Sequence, residues 1–363
     1  MSTLSGLTAL LSNQLPALSE NAGLVGIIGD HPSAYAKSPL IWNPTFDALG
    51  INAMYLPFDV PAGHLRQVIG ALRDIPTYLG GNVTVPYKID VMAYLDRLDP
   101  LAEAIGAVNT IVRDEQGALI GYNTDGQGAI DTLTRLQPGK ATPFVESLDG
   151  QRVLLIGAGG AARAVSFYLG RHIGTGRMWI ANRTDERSDE LAGRLRMNGT
   201  SAAAITFDDF GSVIGEVTLL LNTTSIGQSG LRSLRGGQQT ILEPYSPLAA
   251  FSVEAIATEN PGGIRAWAAS MFDDIVNNNR RSWELLTRLP VTARCFDVIY
   301  SPLETVLLQQ ARLSGHATVN GKAMNVCQAV AGFLKVMRPR LSQLNRGKED
   351  WYARVQAEMH QAW

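Results

Sequence analysis

VLLIGAGGAARAVSFYL, residues 153–169, sets an uninterrupted apolar run directly before a glycine-rich turn and a helix-compatible stretch. Val153 to Ile156 has the composition of a parallel strand buried on both faces. Gly157-Ala158-Gly159-Gly160-Ala161-Ala162 fits the G-x-G-x-x-A spacing in the strand, turn and helix context which that pattern requires. In this reading Gly157 permits the turn, Gly159 lets a pyrophosphate approach the backbone, and Ala162 lets the helix pack on the sheet. Ala158, Gly160 and Ala161 complete the cradle at the helix N-terminus. A glycine-rich turn that binds nothing is the competing and less favoured reading.

A second strand-helix unit follows, Met178-Trp179-Ile180-Ala181 leading to Asn182-Arg183-Thr184. A nicotinamide cofactor without the extra phosphate would meet an Asp or Glu here, on its ribose 2′-hydroxyl. Asn182 and Arg183 favour NADP instead. Arg183 can face the 2′-phosphate as a planar fork, Thr184 adds a hydroxyl, and Arg187 can close from the next helical turn. Pairing of these arginines with Asp185, Glu186 or Asp189 on a solvated helix competes, and for Arg187 the two readings are equal.

Upstream, GGNVTVPYK (80–88) and YNTDGQG (122–128) supply an ammonium and a carboxylate. Pro86 breaks the ladder just before Lys88, so the lysine starts the next element at a strand's end. Asp125 stands beside Gly126 and Gly128, a tight turn that can bring a carboxylate close to other backbone. Either residue alone would be ordinary solvated surface.

The order NVTVPYK, GAVNT (106–110), NTDGQG, GAGGAAR and NRT resembles the shikimate dehydrogenase family. KSP at 37–39 is similar to that family's substrate-carboxylate loop, and NTTSIG at 222–227 to its strand-end loop beside the nicotinamide. FDVIY at 296–300 resembles the strand bearing a substrate-facing Tyr, and Met324 and Gln328 the M-x-x-x-Q of its closing helix. The resemblance implies an NADP-dependent oxidoreductase of aromatic amino acid biosynthesis, interconverting 3-dehydroshikimate and shikimate. It implies Lys88 and Asp125 as the catalytic pair and Ser38, Thr84, Asn109, Thr124, Tyr300 and Gln328 as substrate contacts. It places Asn222, Thr223, Thr224 and Met324 at the cofactor, and no metal.

Oxidising a ring secondary alcohol needs a group that takes the hydroxyl proton while hydride leaves the carbon. Lys88 is the candidate. A neighbouring carboxylate favours its charged form and burial disfavours it, so general base and orienting donor both stay open. Two alternatives accompany this reading. One is a relative reducing a different keto or imino acid. The other is a regulatory protein that binds cofactor without turnover, disfavoured because both members of the pair are present.

The departures are specific. Where the family loop reads H-S-x-S-P, this chain has Tyr35-Ala36-Lys37-Ser38-Pro39. Losing one donor to a carboxylate costs about 1.5–3 kcal/mol, roughly tenfold to a hundredfold in affinity, unless Tyr35 or Lys37 compensates. One residue is added before Pro32, Trp42 replaces a His, and Ala323 and Asn325 replace a Gly and a Leu, all expected near the pocket. Residues 228–290 insert roughly fifty residues relative to the family. They comprise a loop-like GQSGLRSLRGGQQ, a helix from Ile264 to about Asn277, and NNNRR at 277–281. A surface elaboration, which slow loop-closure costs would tolerate, and a lid or dimer contact are equal readings.

Composition bounds the rest. With 363 residues, 45% hydrophobic and 18% charged, the chain is long enough for two domains. A net charge of −2 without a dense Lys/Arg block argues against a nucleic-acid partner. Cys295 and Cys327 read as buried apolar-like residues in a reducing compartment, not a disulfide. The five histidines show no metal-ligand spacing. No Lys or Arg precedes Lys37 and no apolar run reaches spanning length, so the expectation is cytoplasmic, with no membrane partner. Leu4, Leu7, Leu11, Leu15 and Leu18 recur at helical spacing, and Leu24 to Ile28 reads as a buried strand. The expected architecture is α/β with two domains and a cleft between them. A substrate domain takes 1–127 plus 320–363, and a Rossmann-type NADP domain takes 128–319. The tail from Lys335 to Trp363 reads as one or two surface helices. The expected partner is a small-molecule substrate, and a homodimer stays open.

Overall fold

A computed structural model describes residues 3–19, 21–233, 237–256, 262–344 and 350–363. The chain is α/β and divides into two compact units, Met1–Asp131 with Asn325–Trp363, and Thr132–Met324.

In the first unit the strands are β1 (Gly23–Gly29), β2 (Ala53–Asp59), β3 (Tyr78–Val83), β4 (Arg97–Leu98), β5 (Thr110–Arg113) and β6 (Leu119–Tyr122). They form one sheet in the order β2-β1-β3-β5-β6-β4. β1 runs parallel to β2 and β3, whereas β5 is antiparallel to both β3 and β6. β1 is buried along its whole length. Leu24 and Ile28 join a cluster with Phe58, Val68 and Ile69, and Val25 and Ile27 join Trp42, Phe46, Phe333 and Val355. This split follows from side chains alternating across a strand whose two faces are both covered. The Gly80-Gly81 pair sets how closely the strands approach. At Gly81 (φ +153°) a Cβ would lie 1.9 Å from the Gly26 carbonyl oxygen, and at Gly80 (φ +127°) 2.2 Å from that of Ile111. Only glycine admits β3 between β1 and β5.

Several sequence expectations are corrected in this unit. The N-terminal leucines do not form one helix, because helix covers only Thr3–Thr8. Leu7 is buried and Leu4 packs beside it from that helix, while Leu11, Leu15 and Leu18 still pack on the β1 cluster through irregular backbone. Trp42 is fully buried, with ring centroids 4.9 Å from Tyr55 and 5.1 Å from Phe333. Asn325, another departure, accepts a hydrogen bond from the Trp363 indole at 3.3 Å. The tail helices Arg338–Gln343 and Trp351–Ala362 are not wholly superficial, since Leu341, Val355 and Met359 are buried in the sheet's core. Residues 345–349 of that tail lie outside the described residues.

The second unit holds β7 (Arg152–Ile156), β8 (Arg177–Ala181), β9 (Ala202–Ala204), β10 (Leu219–Asn222), β11 (Leu231–Ser233), β12 (Gln239–Ile241), β13 (Arg294–Asp297) and β14 (Ala317–Val319). Six of them form a parallel sheet in the order β14-β13-β10-β7-β8-β9. The chain winds outward from β7 through β8 and β9, then returns to the other side of β7 with β10. The carboxyl ends of β7 and β10 therefore flank a topological switch point, where ligands of such sheets bind.

The 228–290 insertion is a folded element. β11 and β12 pair as an antiparallel hairpin where a loop is expected, although Leu234, Arg235 and Gly236 lie outside the described residues. The single helix expected over 264–277 is two, Gly263–Ser270 and Phe272–Leu286. Tyr245, Ile256, Trp267 and Met271 form a small core with Ile226 of the strand-end loop. The NNNRR run lies inside the second helix. There Asn278 accepts the Ser246 N–H at 2.9 Å and donates to the carbonyls of Ser246 at 3.0 Å and Ala249 at 2.9 Å. Among the described residues no helix is long and apolar enough to cross a membrane.

The close approach of β1 and β3 predicts that Gly81→Ala destabilises the protein by about 3 kcal/mol, through overpacking against the Gly26 backbone. Gly139→Ala, at a left-handed position with open space around it, should cost only about 1 kcal/mol. Denaturant melts of the two variants measure the difference, and equal losses would contradict the packing argument.

Candidate active site

In the first unit Lys88 sits in the turn between β3 and the 3-10 helix Asp90–Tyr94. Its backbone carbonyl accepts the Val108 N–H at 2.8 Å, which fixes the turn. Asp125 does not sit in a tight turn as expected. It opens the helix Asp125–Thr134, and its N–H donates to Asn123 Oδ1 at 3.1 Å. A carboxylate in a first helical turn is favoured by the helix dipole. Lys88 Nζ donates to Asp125 Oδ2 at 2.7 Å, and Asn109 Nδ2 donates to Asp125 Oδ1 at 2.7 Å. With side chains 32% and 22% exposed, Lys88 and Asp125 form a half-sheltered pair open to a reactant.

Behind this pair lies a buried polar chain. Asn109 Oδ1 accepts the Thr124 N–H at 2.7 Å, and Thr110 Oγ1 lies 3.0 Å from Thr124 Oγ1. Asn82 Nδ2 donates to the Asn109 carbonyl at 3.2 Å and to Thr110 Oγ1 at 3.3 Å. Asn82 Oδ1 accepts from the Tyr55 hydroxyl at 2.7 Å. Asn109, Thr124, Asp125 and Lys88 are thus backed by Tyr55, Asn82 and Thr110, which the sequence reading missed. The available signal was Asn82 itself, a polar residue in an otherwise apolar strand. Thr84 lies beside the 30–38 loop, its N–H donating to Ile28 at 2.8 Å. Tyr35 donates its hydroxyl to Asp30 at 2.8 Å. Gln328 reaches the Asp125 helix through Gly128, where a Cβ would lie 2.6 Å from Gln328 Cβ.

In the second unit the helix Gly160–Gly170 starts at the expected turn, with Gly159 at its N-cap and no side chain capping it. Gly157 is at φ +116°, and a Cβ there would lie 2.6 Å from Thr223 Oγ1, so packing requires glycine. Nothing lies within 4 Å of a Cβ built at Gly159 or Gly160. Packing does not demand those glycines; a ligand on the free backbone N–H groups would. Arg163, also missed, lines a cavity of about 370 Å³ with Ala158, Gly159, Gly160 and Arg187, and its buried Nε has no hydrogen-bond partner. These residues fit a diphosphate-bearing cofactor. Asn182, Arg183 and Thr184 follow β8, with Arg183 and Arg187 exposed. Ala161 lies in the first turn of the helix.

The loop after β10 is held from within. Asn222 is fully buried, donating to Asp297 Oδ1 and to the Ile226 carbonyl, both at 3.1 Å. The Thr223 hydroxyl donates to the Ile156 carbonyl at 2.7 Å, and that of Thr224 to Asn222 Oδ1 at 2.7 Å. The side chains of Asn222 and Thr223 therefore shape this loop. Asp297 also accepts from the Ile299 N–H at 3.0 Å and the Thr305 hydroxyl at 2.7 Å. Burial nevertheless pushes its carboxyl up to about 7, against the pull of the three donors. Tyr300 follows the strand carrying Asp297, and Met324 is buried at the edge of this unit. Among the described residues no His, Cys, Asp or Glu cluster could hold a metal ion.

Two family descriptions match the chain: shikimate dehydrogenase substrate binding domain over residues 27–111, and shikimate / quinate 5-dehydrogenase over residues 140–232. The shikimate dehydrogenase (NADP(+)) of Symbiobacterium thermophilum is 35% identical over 314 residues, 85% of this chain and 87% of that relative. Among solved structures the chain is similar to shikimate 5-dehydrogenase from Listeria monocytogenes in complex with shikimate and NAD. The TM-score is 0.68 at 25% identity, over 90% of this chain and 95% of that one. It is similar too to shikimate 5-dehydrogenase from Thermus thermophilus in complex with NADP(H) and shikimate, with TM-score 0.63 and 26% identity over 94% and 100% of the two chains.

Asp297 yields a pH prediction. A carboxyl raised to about 7 keeps its proton in the folded chain where the unfolded chain, with the ordinary value of 3.8, has released it. Its contribution to stability is therefore full at low pH and is lost as pH rises toward 7. Asp297→Asn should remove that slope, so melting temperatures of the two proteins should converge or cross between roughly pH 4 and 7. Parallel profiles would show that Asp297 is already ionised.

Proposed function

The chain belongs to the shikimate dehydrogenase family, and on that premise we propose that it is an NADP-dependent oxidoreductase interconverting 3-dehydroshikimate and shikimate. One observation supports the chemistry above all: the Lys88 ammonium is held 2.7 Å from Asp125 while Asn109 fixes the other carboxylate oxygen. NADP, when bound, supplies or accepts the hydride. The glycine turn and Arg163 hold its diphosphate, and Arg183, Thr184 and Arg187 hold its 2′-phosphate.

As the neutral amine, Lys88 Nζ takes the proton of the reacting hydroxyl during oxidation and becomes the ammonium, which returns that proton during reduction. Asp125 Oδ2 aims that nitrogen and accepts a neighbouring ring hydroxyl. Its position is set by Asn109, whose own amide has one workable orientation because Thr124 N–H must meet an oxygen. Ser38, at the start of its helix, bonds the ring carboxylate, with Tyr300 and Gln328 as further substrate contacts. The two free, buried cysteines support a reducing, cytoplasmic setting.

A second reading within the family, a differently substituted ring acid, is favoured by Ala36. Tyr35 cannot replace the missing hydroxyl without leaving Asp30, to which its own hydroxyl is bonded.

Lys88→Ala should lower turnover at least about a hundredfold, the ordinary contribution of a proton-transfer group, and leave NADP affinity nearly unchanged. Steady-state rates and NADP titration of the same preparation measure this, and wild-type turnover would remove Lys88 from the mechanism.

The substrate is read by assaying shikimate, quinate and amino-substituted ring acids with NADP and with NAD, before and after Ala36→Ser. With shikimate as substrate, Ala36→Ser should lower KM about tenfold or more. High shikimate activity that does not respond to the substitution would defeat the second reading.

A further inference from the structure

The insertion that distinguishes this chain meets the cofactor side of the second unit. Its small core grows from Ile226, in the loop after β10, and the Gly227 N–H donates to the Leu242 carbonyl at 2.9 Å. A cavity of about 440 Å³ lies at this junction. One wall is made by the carboxyl ends of the parallel strands: Ile156 after β7, Asn182 and Arg183 after β8, and Thr224 after β10. The other wall comes from the insertion, chiefly Arg232, Leu242, Phe251 and Val253.

The chemistry of the two walls is complementary to one ligand class. Arg183 and Arg232 line the cavity, and among the described residues no carboxylate does. Arg232 is anchored by one guanidinium nitrogen, Nη2 donating to the Ser229 carbonyl at 2.6 Å, while its buried Nε has no partner. A buried donor without an acceptor is costly, and an arriving anion relieves that cost. Phe251 has one face stacked on Tyr245, with centroids 4.5 Å apart and planes at 28°. Phe207 lines the cavity from the sheet side and packs on Phe210. A flat heterocycle between aromatic walls, joined to an anion between two arginines, describes a 2′-phosphorylated adenosine. The position agrees, because the residue after the second strand is where a dinucleotide presents its ribose 2′-position.

We propose that the 228–290 insertion is a cofactor-selectivity element, in which Arg232 binds the 2′-phosphate together with Arg183 and Phe251 walls the adenine. The proposal rests on the NADP reading above and assigns the insertion to neither the substrate nor a subunit contact.

Isothermal titration of the full chain with 2′,5′-ADP and with 5′-ADP reads the two walls separately. The unmodified chain should prefer 2′,5′-ADP. Arg232→Gln should weaken 2′,5′-ADP about tenfold to a hundredfold, the range for one charge-assisted hydrogen bond, and leave 5′-ADP unchanged. Phe251→Ala should weaken both fragments by about tenfold, as loss of base stacking does. If Phe251→Ala also lowers the melting temperature, Phe251→Leu keeps apolar packing while removing the flat ring, and carries the same expectation. Arg232→Gln binding both fragments like the unmodified chain would overturn the assignment and leave the NADP reading standing. An unmodified chain that binds neither fragment nor NADP would overturn both.

Discussion

Buried polar groups must find partners, and in the first unit that requirement orients everything around Asp125. Asn82, Asn109, Thr110 and Thr124 are all at least nine-tenths buried. Each must therefore be satisfied by its neighbours, since leaving one unpaired costs more than a typical hydrogen bond gains. Reversing the Asn109 amide would set its donors against the Thr124 N–H and its oxygen against the Asp125 carboxylate. The network thus has one arrangement, and it leaves a single carboxylate oxygen for Lys88. An ion pair as exposed as Lys88 and Asp125 adds little stability by itself. Its geometry comes from the core behind it, which is how a reactive pair is held rigid on an otherwise open surface.

The same device recurs in the insertion. Asn278, buried in the middle of a helix, pins the loop containing Ser246 and Ala249 with three hydrogen bonds. Ser282 extends that grip to Ser246 and Gln310. An element with so few apolar residues has a small core of its own, and polar pins set its position where hydrophobic packing alone would leave latitude.

The parts of this architecture legible in the sequence are those whose physics is local. An apolar run meeting G-x-G-x-x-A has one economical solution, and the structure has it: β7, a turn with Gly157 at positive φ, and the helix from Gly160. What escaped depends on contacts distant in sequence. Tyr55 and Asn82 are 27 residues apart and meet only when β1 sits between their strands. Leucines at helical spacing announced contact with the core, but spacing alone does not dictate backbone, and after Thr8 those residues reach the core without helix. Trp42 occupies a motif position, yet the motif says nothing of which way a large ring turns. The break at Met271 between the insertion's helices carries no glycine or proline to mark it.

The cluster that Val25 and Ile27 of β1 form with Trp42 and Phe46 of the helix Ser38–Leu49 is closed by Phe333, Val355 and Met359. On the ribosome these two groups emerge far apart in time. At about 5–20 residues per second, the roughly 290 residues between Phe46 and Phe333 take on the order of fifteen to sixty seconds to synthesise. Throughout that interval the Trp42 and Phe46 rings lack the cover that Phe333, Val355 and Met359 give them in the folded chain. Thr132–Met324 contains its own core and can complete folding in the meantime. The middle of the chain thus has all of its own core before the first sheet receives its C-terminal cover.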